Sequence, residues 1–175
     1  TETNINYISG KGGVIPFEQA EVFRSREGNY IGYDNVGPEY IEYKGHTFAL
    51  TGNGIEISDR ELDEIDYEFI AAQEEIWRLE FVRCTLDYGR LAEFGNFKYL
   101  ALNECENIDF AAIAKIDFVD SIRLDHCVFD DISPLFGSGI TRIDGEKTEN
   151  GFVSNIQMQE FEKFNGGRVD SSLVG

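Results

Sequence analysis

A short apolar pattern recurs between residues 76 and 148 and strongly limits what this chain can fold into. The pattern is apolar-x-x-apolar-x-apolar-x-x-Cys, and its copies begin 21, 22 and 21 residues apart. The complete copies are Ile76-x-x-Leu79-x-Phe81-x-x-Cys84, Phe97-x-x-Leu100-x-Leu102-x-x-Cys105 and Val119-x-x-Ile122-x-Leu124-x-x-Cys127. An incomplete copy follows as Ile140-x-x-Ile143-x-Gly145-x-x-Thr148, in which glycine and threonine replace the last apolar residue and the cysteine. A unit this short cannot bury its own apolar face, so the repeat predicts units that stack on one another.

Each copy predicts one strand and one return segment. In Leu79-x-Phe81 the two apolar side chains point to the same side of a strand, and the residues beside them point to the other side. Between strands the chain reads LDYGRLAEFGNF and IDFAAIAKIDFV, and the alanines of the second segment favour helix. We therefore expect an α/β fold with parallel strands and helical or irregular returns.

The pattern resembles the leucine-rich repeat, whose short form is L-x-x-L-x-L-x-x-N/C-x-L. The resemblance covers about 75 residues, continues past the cysteines to Leu86 and Phe129, and has a weaker upstream copy at Ile55-x-Ile57 with Arg60 at the ninth position. It implies a small solenoid whose exposed strand face binds other proteins. A parallel β-helix is the alternative for a period of this length.

The flanking segments do not share the repeat. Glu39–Tyr43 and His46–Leu50 alternate aromatic or β-branched residues with polar ones, and Lys44-Gly45 marks a turn, which predicts an N-terminal antiparallel β element over the first unit. Before it, Pro16–Arg24 predicts a short helix with proline in its first turn. We expect a single domain over 1–175, with a β-rich cap over 1–50, repeats over 51–148 and a C-terminal helix and tail over 149–175.

Two further helices are predicted from capping residues. Ser58 or Asp59 is available as the N-cap of a helix with apolar residues at helical spacing. Ser154 and Gly166 are suited to cap a C-terminal helix that carries Ile156, Phe161 and Phe164 on its apolar positions. The tail RVDSSLVG is expected to be loose.

The charge predicts a basic protein partner. The net charge is −18, and residues 51–150 carry 9 basic and 23 acidic side chains. A field of that density repels nucleic acid and anionic membranes and speeds the encounter with a basic protein. No apolar run is long enough for a membrane span and no hydrophobic signal region begins the chain, so we expect a cytoplasmic protein. The three cysteines, at equivalent repeat positions, predict buried thiols rather than a disulfide.

Motifs for catalysis are missing from the sequence. The glycine cluster at residues 9–13 lacks the spacing of a phosphate-binding loop, and no spacing typical of a metal site surrounds Asp125 and His126. Cys127 follows His126, but neighbouring side chains on an extended chain face opposite ways, which argues against a thiol-imidazole pair. We therefore expect no enzyme activity, no cofactor and no metal.

The outward positions of the predicted strands form a candidate partner-binding surface. They are Glu56, Arg78, Glu80, Tyr99, Asn103, Arg123, Asp125, Arg142, Asp144 and Glu146. This mixture of arginine, tyrosine and acids suits recognition of a charged protein surface. The same arginines can also pair with acids beside them on the face.

In charge and architecture the chain resembles bacterial immunity proteins of the contact-dependent growth inhibition type. Those antitoxins neutralise toxins, many of them basic nucleases, by covering the active site, and the acidic leucine-rich ribonuclease inhibitor is a looser parallel. The resemblance implies an inhibitor that blocks a basic, RNase-type nuclease toxin. The alternatives are a general protein-interaction adaptor, a structural module without a partner and, least favoured, a hydrolase of the β-helix type.

Overall fold

The computed structural model describes residues 20–24, 39–52 and 54–175. It contains a nine-stranded sheet in which spatial neighbours follow chain order. The strands are β1 (Ala20–Arg24), β2 (Glu39–Tyr43), β3 (His46–Thr51), β4 (Gly54–Glu61), β5 (Arg78–Thr85), β6 (Tyr99–Asn103), β7 (Ser121–Asp125), β8 (Arg142–Glu146) and β9 (Arg168–Val169). Pairs from β1 to β4 are antiparallel and pairs from β4 to β9 are parallel. The predicted α/β class is confirmed, with a mostly parallel sheet and few helices.

The apolar repeat positions form rows across the parallel strands. The first row is Ile55, Leu79, Leu100, Ile122 and Ile143, and the second is Ile57, Phe81, Leu102, Leu124 and Gly145. All the apolar side chains of both rows are buried, with at most 1% exposure. The core therefore lies under one face of the sheet, and the opposite face carries the polar residues.

Short helices fill the returns between the parallel strands. They are α1 (Glu64–Ala71), α2 (Tyr88–Leu91), α3 (Phe110–Ile113), a 3-10 turn (Ser133–Leu135) and α4 (Asn155–Asn165). The side chains of Asp87 and Asp109 accept backbone N–H groups at the starts of α2 and α3, which satisfies donors that a helix leaves unpaired. Leu91 and Ile113 then pack under the sheet with no exposed surface.

A residue with a left-handed backbone precedes the ninth position in four of the repeat copies and explains the spacing of the cysteines. Strict alternation from Phe81 would turn Arg83 inward and Cys84 outward. Instead the residue before the ninth position has a positive φ in four copies, at Asp59 (58°), Arg83 (50°), Glu104 (52°) and His126 (55°). This turn rotates the chain so that Cys84 is buried and its Sγ donates to the Ile57 carbonyl at 3.3 Å. Cys105 and Cys127 are also free and buried, as predicted.

The structure corrects the prediction for the N-terminal region. Ala20–Arg24 form strand β1, paired antiparallel with Glu39–Tyr43, so the predicted helix is wrong for these five residues. Sheet pairing offers this segment long-range hydrogen bonds that a short helix would lack. On either side of the Lys44-Gly45 turn, β2 and β3 pair antiparallel. The rest of the predicted helix, residues 16–19, and the glycine cluster lie outside the described residues.

The predicted start of α1 is wrong. Residues 58–61 extend β4 and pair with β5, with Arg60 opposite Cys84. The helix begins only at Glu64, where the Asp63 side chain accepts from the backbone N–H groups of Ile65 and Asp66. Pairing with β5 therefore overrides the capping signal at Ser58 and Asp59.

The C-terminal helix is confirmed, but the tail is not loose. Ser154 caps α4 at its start, and Gly166 adopts a left-handed conformation at its end. After it, β9 pairs with β8, and Leu173 is completely buried. None of the helices in the described part of the chain is long and apolar enough to cross a membrane.

Candidate protein-binding surface

The ten predicted binding residues lie on one face of β4 to β8, which we call the outer sheet face. Register places them in three rows across the strands. The first row is Arg78, Tyr99, Ser121 and Arg142; the second is Glu56, Glu80, Ala101, Arg123 and Asp144; the third is Val82, Asn103, Asp125 and Glu146. Neighbouring strands lie about 4.8 Å apart, so adjacent members of a row are within reach of one another.

The arginines of the outer sheet face pair with acids on their own strands. Arg78 Nη2 lies 3.0 Å from Glu80 Oε1, and Arg142 Nε lies 2.9 Å from Asp144 Oδ1. Arg123 Nε donates to Asp125 Oδ2 at 2.5 Å. Each arginine is two residues before its acid, so both side chains project from the same face. The internal pairing considered at the sequence level therefore occurs and offsets part of the charge.

Asp144 is buried, so it stabilises the outer sheet face through internal hydrogen bonds and is not an exposed residue that a partner could contact. The residue is 4% exposed, and its carboxylate accepts the Tyr99 hydroxyl at 2.9 Å besides the Arg142 guanidinium. Burial, and then the hydrogen bond to Asp144, raises the pKa of Tyr99. The Arg78 guanidinium lies 5.4 Å from the centre of the Tyr99 ring. Tyr99 thus links three strands through its hydroxyl and its ring.

Glu56 and Asp125 have carboxylate oxygens without a hydrogen-bond donor in the described residues, although Asp125 pairs with Arg123 through its other oxygen. Burial, and then the neighbouring charge of Glu80, raises the pKa of Glu56. Within the described residues, Glu56 makes no ion pair, and Asp125 Oδ1 is enclosed without a hydrogen-bond donor. An enclosed carboxylate oxygen without a donor is unfavourable. A positive charge that a partner brings close to Glu56 would stabilise its ionised form.

The charge of the surface changes from one end of the strands to the other. Arg78, Lys98, Arg142 and Arg168 lie at the N-terminal ends of strands. Residues 103–110, 125–131 and 146–151, at and beyond the C-terminal ends of β6 to β8, form what we call the acidic edge. Its carboxylates are Glu104, Glu106, Asp109, Asp125, Asp130, Asp131, Glu146 and Glu149. The basic side chains within the acidic edge are Lys147 and His126, and Arg83 of β5 lies 3.3 Å from Glu104.

Sequence reasoning missed Trp77 and the loop residues of the acidic edge. Trp77 is 54% exposed, and its ring centre lies 6.5 Å from that of Tyr99. It immediately precedes β5, so the alternation of the strand does not specify where it points. The one available signal was that the single tryptophan of the sequence lies within a repeat copy, directly after Ile76.

The described residues include one group with metal-binding distances. Ligand atoms of His46, Asp63 and Asp66 lie within 4.8 Å of one another. Asp66 is fully buried, however, and Arg60 Nη1 already contacts its Oδ1 at 2.8 Å while His46 Nδ1 does so at 3.0 Å. The guanidinium supplies the positive charge that a metal would bring. The cluster therefore fits an internal link between β3, β4 and α1.

His126 and Cys127 point to different environments. The His126 side chain is 53% exposed and lies 3.4 Å from Glu146, whereas Cys127 is 1% exposed. Burial raises the pKa of Cys127 to about 12, which disfavours the nucleophilic thiolate at neutral pH.

No family model, curated protein or solved structure matches this chain. Its function is therefore inferred from the chemistry of its surfaces.

Proposed function

We propose that this chain is a cytoplasmic immunity protein that binds a basic, RNase-type nuclease toxin and blocks its active site. The observation that carries the proposal is the acidic edge, together with Glu56, whose carboxylate makes no ion pair within the described residues. A nuclease holds phosphates with lysine and arginine side chains. Carboxylates presented on a rigid sheet can occupy the positions of those phosphates, so the toxin could no longer bind its nucleic acid.

We further propose that the parallel part of the fold is a leucine-rich-repeat-like solenoid closed at one end by the antiparallel strands. Support comes from the register, which places equivalent repeat positions side by side from β5 to β8. The returns that contain α2 and α3 are helical, whereas a parallel β-helix would place further strands there. A solenoid of this kind presents its outer sheet face as a rigid binding plate, which lowers the entropy lost on binding.

The charge distribution also supports an orientation for the partner. The most basic part of the toxin would meet the acidic edge, because the other end of the outer sheet face carries arginines. Long-range attraction speeds the encounter, and salt weakens it. The arginines at the opposite ends would disfavour a rotated complex, since they would face the same basic surface.

The test uses a pull-down from the source cells at low and high salt, mass spectrometry of the retained proteins and a nuclease assay. We expect a small basic nuclease that the chain inhibits and that binds more slowly at high salt. The double variant Asp125→Asn/Glu146→Gln should weaken its binding about tenfold, because two carboxylates near the contact are lost.

The matched control is Glu160→Gln/Glu162→Gln on α4, which removes the same charge away from the face. It should change the affinity by less than about twofold. Equal losses in both variants would mean that only net charge matters, and retention of no basic protein would remove the support for an immunity function. Asp144 is left intact in these variants because its replacement would disturb the fold.

A general protein-interaction adaptor is the second candidate, favoured by the exposure of Trp77. Tryptophan, tyrosine and arginine dominate the energetics of many interfaces, and Trp77 lies beside Tyr99 and Arg78. An adaptor that binds through these residues would lose affinity in Trp77→Ala, and its binding would depend little on salt. The salt series of the pull-down therefore separates the two candidates.

A further inference from the structure

The loops that follow β6, β7 and β8 enclose a groove of about 780 Å³ on the acidic edge. Three successive repeats and the start of α4 contribute to it. The main lining groups are Glu106, Phe110, Val128, Asp130, Glu149 and Phe152. The groove lies beyond the ends of the strands and is therefore distinct from the outer sheet face.

The groove has an apolar lining that remains open to solvent. Phe110 and Phe129 meet edge to face with ring centres 5.7 Å apart. Val128 is 46% exposed and Phe152 is 38% exposed, so two large apolar side chains of the groove remain accessible. Apolar surface gathered in a concave site is typical of a place where a ligand or a partner side chain binds.

The rim of the groove carries carboxylates that nothing in the described chain neutralises. Glu106, Asp130 and Glu149 form no hydrogen bond or ion pair with the residues that the structure describes, and neither lysine nor arginine is among the lining residues. An apolar lining beneath uncompensated negative charge is complementary to a cation attached to an apolar stem.

Asp131 adds a fixed negative charge to the groove. It accepts from Ser133 N at 2.9 Å, from Ser133 Oγ at 3.0 Å and from Gln157 Nε2 at 2.9 Å. These hydrogen bonds, led by those from Ser133, lower the pKa of Asp131, so it is ionised at neutral pH. The same hydrogen bond from Gln157 Nε2 ties the start of α4 to this wall of the groove.

The walls of the groove are held in place without a ligand. Phe129 N donates to Asn150 O at 3.0 Å, which ties the loop after β7 to the loop after β8. At Gly151 a Cβ atom would lie 1.8 Å from Cys127 O, so the loops approach as closely as they do only because residue 151 has no side chain. A preorganised groove binds its ligand with a smaller loss of entropy.

We infer that this groove binds an arginine side chain of a partner protein. The arginine stem would lie on Val128 and Phe152, and its planar guanidinium would stack on a phenyl ring and donate to the rim carboxylates. Arginine fits this combination better than lysine because its charge is planar, more weakly hydrated and surrounded by five N–H donors. The inference does not require the partner to be a nuclease.

The test measures fluorescence anisotropy with a short, capped, fluorescein-labelled peptide that carries one arginine between leucines. Two matched peptides replace the arginine by lysine or by citrulline, which keeps the shape of arginine without its charge. We expect the arginine peptide to bind most tightly and the lysine peptide less tightly. The citrulline peptide should bind at least about tenfold more weakly than the arginine peptide.

Variants of the chain locate the binding site. Phe152→Ala and Asp130→Asn/Glu149→Gln should each weaken binding of the arginine peptide about tenfold. The control Glu160→Gln/Glu162→Gln should leave the affinity for this peptide unchanged. Thermal unfolding of each variant checks that the fold is intact. Asp131 is not replaced, because it holds the turn that begins at Ser133.

Three results would overturn the inference: no binding of the arginine peptide, equal binding of the citrulline peptide, or an equal loss in the α4 control. The outcome is separable from that of the proposed function. Asp125→Asn/Glu146→Gln tests nuclease inhibition on the outer sheet face, and the groove variants test arginine binding with a peptide that has no nuclease activity.

Discussion

Gly145 provides a sharp test of the fold, because the repeat and the structure predict opposite effects of its replacement. It occupies the inward position that Phe81, Leu102 and Leu124 fill in the other copies. From the repeat alone, Gly145→Leu would restore a core contact and stabilise the chain. In the structure Gly145 has a φ of 146°, and a Cβ atom there would lie 2.0 Å from Leu124 O. We therefore expect Gly145→Leu to destabilise the fold.

The expected loss follows from two contributions. A side chain in this region of φ, which is essentially restricted to glycine, costs about 1–3 kcal/mol. Real Cβ contacts are essentially never shorter than 3.0 Å, so β8 would have to move by about 1 Å from β7. Backbone shifts of this kind in a packed core cost about 1–3 kcal/mol more. The free energy of unfolding should fall by about 2–6 kcal/mol, and a loss of about 4 kcal/mol would lower Tm by about 8–16 °C.

The assay is equilibrium urea denaturation, followed by circular dichroism, of the wild type, Gly145→Ala and Gly145→Leu. Gly139→Ala is the matched control, because a Cβ atom at Gly139 has nothing within 4 Å. The control should change the stability by less than about 1 kcal/mol. If Gly145→Leu were as stable as the wild type or more stable, the close approach of β8 to β7 would be refuted.

Two further predictions concern the tail and the thiols. Leu173→Ala should lower the free energy of unfolding by about 2–5 kcal/mol, because Leu173 is fully buried, and Ile156→Ala, at a position 73% exposed, should change it by less than about 0.5 kcal/mol. Equal urea midpoints for the two variants would contradict the docked tail. Burial raises the pKa of Cys84, Cys105 and Cys127, so the neutral thiol is favoured in the folded state up to a higher pH than in the unfolded chain. All three thiols should therefore resist Ellman's reagent at about pH 8 in the native protein and react fully in guanidinium, and a rapidly reacting native thiol would argue against their burial.

Strands could be predicted wherever the alternation of apolar and polar residues within one repeat unit was sufficient to identify them. The spacing of Leu79 and Phe81 predicts an inward pair on β5, and the same spacing predicts the strands of later repeats. The helix after β4 started later than its capping signal because the strand continues to pair with β5. The tail was mispredicted because Leu173 becomes buried only once the chain has returned to the end of the sheet.

The candidate site also combines features that local spacing predicts with features that depend on contacts between distant parts of the chain. Alternation along the strands placed Glu56, Arg123 and Glu146 on one face without any structure. It could not show that Asp144 is buried beneath Tyr99 and Arg142, since this depends on contacts across several strands. Nor could it reveal the groove, which is assembled from three loops separated by whole repeats.

The sequence by itself determined the α/β class, the inward apolar rows and the excess of carboxylates, because each depends on residue type and on spacing within one unit. Only the tertiary structure decided which carboxylates are compensated, where the apolar side chains remain exposed and why Gly145 cannot carry a side chain. Those properties depend on how closely segments about one repeat apart approach each other, and local periodicity does not contain that distance.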